Sequence, residues 1–342
     1  MKNMDKLEGY LPGKHAATIC VHAHPDGDAI GSGCALARYL RLSRGIDAVV
    51  LAPDPVPDSL KFALREGDTF LSYSECPGEC EDRIAESDII FCLDCNSFSR
   101  VAGAEAGLRA SGAVKILIDH HLNPDKEAFD LVISETEISS TCELLYWTLR
   151  ESSDVAGDDG KLPESCLDAL MTGMTTDTNN FANSVYPGTL DMASNLLAAG
   201  VDRDAILLNL YNNYRVNRLR IIGHLLNDEM RITPEGAAFA ILDLDSQRAF
   251  DFKEGEAEGF VNMPLAAAEI KLSVFMREEK DKFRVSVRSK KGVSANAFAM
   301  RYFDGGGHEQ AAGGKLVKDE SLRDADDARA YILKVTREFF GK

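Results

Sequence analysis

Apolar residues in the first half of the chain recur in short runs, at 17–23 (ATICVHA), 47–52, 88–94, 114–119 and 129–133. Runs of that length, bounded by polar and turn-forming residues, read as strands. Helical patterns lie between them. Residues 29–44 carry Gly31, Gly33 and Ala35 near their start, small enough for a helix to lie close on a sheet. Ser140 followed by Glu143 fits a capping box ahead of the apolar ELLYWTL. This strand–helix alternation predicts an α/β domain built on a doubly wound, mostly parallel sheet with helices on both faces.

The pattern then changes. Residues 151–165 (ESSDVAGDDGKLPES) read as a polar surface loop, and Pro163 opens a helix over CLDALMTGMTTD. The helix TLDMASNLLAA stops at Gly200, a good C-terminal cap. Residues 202–230 give a long helical pattern with Leu207, Leu208, Leu210, Ile221, Ile222, Leu225 and Leu226, expected to connect two domains. Beyond it, 237–244, 266–278 and 282–289 are strand-like, the last two forming a hairpin over EEKDK. A helix near 293–302, the loop FDGGGHEQAAGG, a short strand and a final helix complete a smaller α/β domain. The expected division is 1–200, a helical connector at 201–230, and 231–342. A length of 342 residues suits two domains.

Composition adds exclusions. With 45% hydrophobic and 27% charged residues the chain reads as an ordinary globular protein. No stretch approaches the roughly 20 apolar residues of a membrane span. The N-terminal MKNMDKLEGY lacks the apolar core of a secretory signal. A cytoplasmic location without membrane contact is therefore expected. The eight cysteines sit mostly in apolar segments and read as reduced, structural thiols. Cys76 with Cys80, and Cys92 with Cys95, are spaced as zinc pairs, but Cys92 falls inside a strand and should diverge from Cys95. The net charge of −17 disfavours binding of long duplex nucleic acid. Segment 271–301 runs against that balance, with nine basic residues (Lys271, Arg277, Lys280, Lys282, Arg284, Arg288, Lys290, Lys291, Arg301) and three acidic ones. It is a candidate phosphate-binding surface.

The densest chemistry lies in His22-Ala-His24-Pro25-Asp26-Gly27-Asp28, where a strand runs into a tight turn. Ligands of doubly wound sheets bind at the carboxyl ends of strands. Asp94 ends the run SDIIFCLD, Asp119-His120-His121 ends AVKILID, and Asp177 ends the helical LDALMTGMTTD. Several elements thus finish in metal-capable residues at one rim. Oxygen-rich sets with some imidazole suit manganese or magnesium. Four carboxylates and two imidazoles can hold two divalent ions, roughly 3.5–4 Å apart, that activate water for in-line displacement. A bridging carboxylate is then needed, and Asp94 is placed to serve.

These residues resemble the DHH phosphoesterase superfamily: the HxxxDxD turn, the strand-end Asp94, the triplet 119–121 and Asp177 of GMTTDTNNF. Residues 303–313 (FDGGGHEQAAG), preceded by VRSK, are similar to the GGGHxxAAG signature of the DHHA1 domain. Order, length and connector look most like the branch of NrnA-type nanoRNases and pAp phosphatases. The resemblance implies that His22, Asp26 and Asp94 hold one Mn2+, and Asp28, Asp94, His120 and Asp177 the other, with Mg2+ or Co2+ as substitutes. It places His121 beside the phosphate and gives Asp119 the orientation of the histidines. His24 falls at a variable position.

The glycine loop also has a physical reading. Gly305, Gly306 and Gly307 could turn backbone N–H groups toward an anion, while Arg288 and His308 add charge-assisted bonds to phosphate. One domain would carry metals, the other grip substrate, and the cleft between them set length selectivity. The expected substrates are short oligonucleotides, released as 5′-mononucleotides, or mononucleotide bisphosphates such as pAp. Cyclic or linear dinucleotides and polyphosphate are alternatives on the same fold, and a silent nucleotide sensor is one from another class, disfavoured by the intact ligand set. A homodimer is left open.

Overall fold

The computed structural model describes residues 4–341, in two compact units that divide between Asn213 and Tyr214. In the first unit, β1 (Ala16–Cys20), β2 (Asp47–Ala52), β3 (Phe70–Ser72), β4 (Ile89–Leu93), β5 (Val114–Asp119) and β6 (Leu131–Ser134) form one sheet, ordered β3-β2-β1-β4-β5-β6. Every pairing in it is parallel. Its helices are α1 (Met4–Glu8), α2 (Gly27–Arg44), α3 (Pro77–Glu86), α4 (Glu105–Ala110), α5 (Thr141–Arg150), α6 (Glu164–Asp177), α7 (Pro187–Ala198) and α8 (Arg203–Tyr211).

The inner strands β1, β2 and β4 are almost continuously buried because both of their faces are covered. In β4, Ile89, Phe91 and Leu93 join a core with α2, α5 and α6. The alternate residues Ile90 and Cys92 join a second core with Cys80 and Ile84 of α3 and Leu108 of α4. The sheet is thus doubly wound, as the sequence predicts. Its strand order reverses between β1 and β4, and a doubly wound sheet binds ligands outside the carboxyl ends of its strands at that point.

Three glycines settle the packing of α2 on α6. A Cβ on Gly27 would stand 2.3 Å from Thr176 Oγ1, and one on Gly31 2.6 Å from the Ala169 carbonyl. On Gly173 of α6 it would stand 2.2 Å from Cys142 Sγ. Gly33 does face the sheet, against Val50 and Val21, whereas Gly31 serves the neighbouring helix.

The helical run at 202–230 is not one helix. It breaks after α8 and resumes as α9 (Val216–His224), followed by a wider turn at Leu225–Glu229. Ile206 and Leu210 of α8 pack in the core of the first unit. Ile221 and Leu225 pack with Phe260 and Phe275 of the second. The apolar period continues across the break because each half serves a different core.

The second unit has a six-stranded sheet, ordered β11-β12-β10-β9-β8-β7. Its strands are β7 (Arg231–Ile232), β8 (Ala237–Leu242), β9 (Leu272–Glu278), β10 (Lys282–Ser289), β11 (Gly306–Gly307) and β12 (Ala311–Val317). Besides α9, its helices are α10 (Leu244–Ala249), α11 (Ala295–Tyr302) and α12 (Ala325–Phe340). The β9–β10 hairpin forms as expected. Strand β9 is shorter than the strand-like run at 266–278: a 3-10 helix ends at Ala266 and a turn occupies the residues before Leu272. Phe283, Val285 and Val287 of β10 face a core with α11 and α12. Arg284, Ser286 and Arg288 alternate with them and so lie on the other face.

Candidate metal centre

The strand β1 ends at Cys20, and the turn that follows carries three donor residues into α2. Asp26 is the N-cap of that helix, accepting from the amides of Asp28 (3.0 Å) and Ala29 (3.1 Å). His22 Nδ1 donates to the Ala23 carbonyl at 2.9 Å. That bond sets the tautomer and leaves Nε2 as the ligating nitrogen. Nε2 lies 3.8 Å from Asp26 Oδ1 and 3.4 Å from Asp94 Oδ2.

Asp94 follows β4 directly and takes a left-handed φ of 54°. It is only 2% exposed. Its Oδ1 lies 3.6 Å from His120 Nε2, which is also 3.6 Å from Asp177 Oδ2. Asp119, the last residue of β5, is fully buried. Its carboxylate accepts from His121 twice, from Nδ1 at 2.7 Å and from the backbone amide at 3.1 Å. The strand-end residues named from the sequence are thus brought together. Three overlapping groups result: His22, Asp26 and Asp94; Asp28, His120 and Asp177; and Asp94, His120 and His121. In each, one donor atom per residue lies within 4.8 Å of the others.

The electrostatics fit a cation. Burial, then the nearby charge of Asp28, pushes the Asp94 carboxyl well above the usual carboxylate range. Burial, then Asp28 and Asp94, does the same to Asp177. Burial works against a charged His22, but Asp26 and Asp94 outweigh it and raise its pKa well above the ordinary value. Burial lowers that of His120. Buried carboxylates that repel one another are costly unless a positive charge lies between them. Carboxylate and imidazole donors suit a divalent ion of the magnesium–manganese kind.

Sequence reasoning missed the start of α5. Its first two amides donate to Asp28, Thr141 N–H to Oδ2 at 2.7 Å and Cys142 N–H to Oδ1 at 2.9 Å. The Thr141 hydroxyl donates to Asp94 Oδ1 at 3.1 Å. Ser140 is the predicted cap, accepting from the Glu143 amide at 3.0 Å. Glu143 does not close the box on Ser140: its carboxylate accepts from Ser139 N–H and Oγ–H and from the Thr189 hydroxyl. The only signal in the sequence was the run Ser139-Ser140-Thr141, which reads as capping alone.

The expected divergence of Cys92 and Cys95 is overturned. Their sulfurs lie 2.9 Å apart, because the left-handed Asp94 between them turns the chain back on itself. All described cysteines are free thiols. His24, expected to be a bystander, is exposed and lies against Asp54.

In the second unit the glycine loop is a tight hairpin, which corrects the picture of an open anion nest. Gly306 pairs with Gly313 and Gly307 with Ala312. The amides of Gly307 and His308 are spent on Asn296 Oδ1 (2.9 Å) and the Ala311 carbonyl (2.7 Å). Gly305 is required by packing: a Cβ there would stand 2.0 Å from the Gly313 carbonyl. Three of the nine basic residues of the segment are paired with carboxylates of the unit. Arg277 pairs with Glu254 and Glu279, Arg284 with Glu254, and Lys282 with Glu279. Arg288 differs. It donates to the carbonyls of Val287 and Ala312 and has no carboxylate partner among the described residues. Burial lowers its pKa from the ordinary value.

Residues 17–174 match the DHH family, N-terminal domain, and residues 237–335 match the DHHA1 domain. The bifunctional oligoribonuclease and PAP phosphatase NrnA of Thermus thermophilus is 31% identical over 323 residues, 94% of this chain and 89% of that protein. Its namesake in Bacillus subtilis is 28% identical over 313 residues, 90% of this chain and 92% of that one. Among solved structures, an exopolyphosphatase-related protein from Bacteroides fragilis matches with a TM-score of 0.90 at 31% identity, covering 99% of this chain and 96% of that chain. The two matches follow one another along the chain, and the clustered donors lie within the first of them, except Asp177 just beyond its end. The chain belongs to the DHH family and is a phosphoesterase, a hydrolase of phosphoester bonds that carries a DHHA1 domain.

Proposed function

We propose that this phosphoesterase is manganese-dependent and hydrolyses short oligoribonucleotides to 5′-mononucleotides, pAp to AMP, or both. The observation that carries the reading is the sharing of Asp94 between two donor groups, Oδ2 at 3.4 Å from His22 and Oδ1 at 3.6 Å from His120. His22, Asp26 and Asp94 would hold one ion, and Asp28, Asp94, His120 and Asp177 the other. Bound there, two divalent ions, manganese or its substitutes Mg2+ and Co2+, supply an activated water and offset charge on the reacting phosphate. Asp119 fixes the His121 ring through Nδ1, so that Nε2 is the nitrogen that meets a phosphate oxygen or protonates the departing one. Arg288 and His308 bind substrate phosphate, with Gly305, Gly306 and Gly307 shaping the hairpin that carries His308. The proposed division of labour puts the metals in 1–200 and the substrate grip in 231–342.

The substrate class rests on the relatives whose names describe oligoribonuclease and PAP phosphatase activity, which align over most of this chain. A panel with Mn2+ tests it: pAp, di- to pentaribonucleotides, cyclic dinucleotides and inorganic polyphosphate. Preferred turnover of pAp or the short RNAs is expected. Preference for cyclic dinucleotides or polyphosphate would replace the substrate assignment, and binding of nucleotide without turnover would replace it with a sensor.

A further inference from the structure

We propose that Thr141 is a positioning residue that orients Asp94 toward bound metal; this rests on the metal-centre reading above. Asp94 follows β4 directly, in a left-handed conformation. The last torsion of an Asp carboxylate is soft, so an unbraced Asp94 could rotate away from a bridging pose. The Thr141 hydroxyl donates to its Oδ1 at 3.1 Å. That bond occupies one lone pair and leaves the other oxygen, and the second lone pair of Oδ1, for ligation.

The helix itself has no need of this hydroxyl. The cap of α5 is already made by Ser140, and the first two amides are taken by Asp28. Thr141 is fully buried. The segment ahead of it is tied through Glu143 to Ser139 and to Thr189 of α7. A fixed donor, delivered from a rigid helix start to a ligand carboxylate, is the arrangement by which outer residues tune a metal site.

The test uses the full chain with Thr141→Val, which keeps shape and removes the hydroxyl, and Thr141→Ser, which restores it. Mn2+ affinity and stoichiometry are read by calorimetry and by the electron paramagnetic resonance signal of free Mn2+, beside the melting temperature of the metal-free protein. The expected result is Mn2+ affinity about 10–100-fold weaker in the Val variant, recovery in the Ser variant, and an unshifted metal-free melting temperature. Wild-type affinity in the Val variant, or equal loss in the Ser variant, would overturn the proposal while leaving the metal centre standing. Wild-type protein that binds no divalent ion would overturn the metal-centre reading and the proposal with it. Should the Val variant not fold, Thr141→Ala is read by the same criteria.

Discussion

At the scale of the residue, the donors at the ends of strands and of α6 were legible because a polar residue that closes an apolar run has few structural reasons to be there. Asp94, Asp119 and Asp177 all close such runs. The contributions of Thr141 and Cys142 were not legible, since a hydroxyl before a helix is ordinary capping and backbone amides leave no trace in sequence. The approach of Cys92 to Cys95 was hidden for a related reason: Asp tolerates a left-handed φ but does not announce one. Replacing Asp94 by Asn keeps the shape and that tolerance while removing the charge. Asp94→Asn should lower turnover by several orders of magnitude and reduce Mn2+ stoichiometry. The metal-free fold should melt no earlier, because a buried, repelled carboxylate is gone. Earlier melting of metal-free protein, with metal content intact, would contradict this account. Arg288→Gln should leave Mn2+ binding unchanged and raise KM for short substrates. A charge-assisted bond of roughly 1.5–3 kcal/mol corresponds to a loss of about 10–100-fold in kcat/KM. Unaltered kinetics, or a lost metal ion, would remove Arg288 from the phosphate site.

At the scale of the element, the alternation of strands and helices was readable because the inner strands β1, β2 and β4 are buried on both faces. The break between α8 and α9 was not, since apolar spacing continues through it while the two helices join different cores. The glycine-rich hairpin was read as an anion cradle, yet the close approach of Gly305 to Gly313 and the spent amides of Gly307 and His308 give those glycines a packing role first. The junction of α2, α5 and α6 yields a sharper test. A Cβ on Gly173 would meet Cys142 Sγ at 2.2 Å and Asp28 Oδ1 at 2.9 Å. Gly173→Ala should therefore force α6 off its neighbours, cost about 1–3 kcal/mol of stability, and weaken Mn2+ binding through the displaced Asp28. Gly223→Ala in α9, where a Cβ meets nothing within 4 Å, is the matched control and should be neutral or stabilising by about 0.4–1 kcal/mol. Equal melting temperatures and metal affinities for the two variants would show that the junction does not position Asp28.

At the scale of the whole molecule, an acidic chain of net charge −17 handles an anionic substrate class, so the positive charge must be local. In the segment expected to supply it, Arg277, Arg284 and Lys282 are paired with Glu254 and Glu279, and the one-dimensional count of charges could not include Glu254, which lies outside the segment. The first unit meets the same demand through its carboxylate cluster, whose titration then governs the protein. His22, Asp94 and Asp177 all have pKa values raised well above their ordinary ones. A raised folded-state pKa means that the native state holds protons the unfolded chain has released, so metal-free stability falls as pH rises through that window, from about 3.9 upward for the carboxyls. Metal must displace those protons, whereas His120, with its pKa lowered by burial, has none to lose near neutrality. Mn2+ affinity should therefore rise as pH is raised through the window in which these groups lose their protons, with net proton release on binding. The stabilisation given by saturating metal should grow with it, reaching roughly 2.7 kcal/mol at a hundred times the dissociation constant. Calorimetric titration in two buffers of different ionisation enthalpy measures the protons released, and thermal melts with and without Mn2+ across that range measure the stabilisation. Affinity that is flat or falls with rising pH, without proton release, would mean that the clustered carboxylates are already ionised and paired by something other than metal.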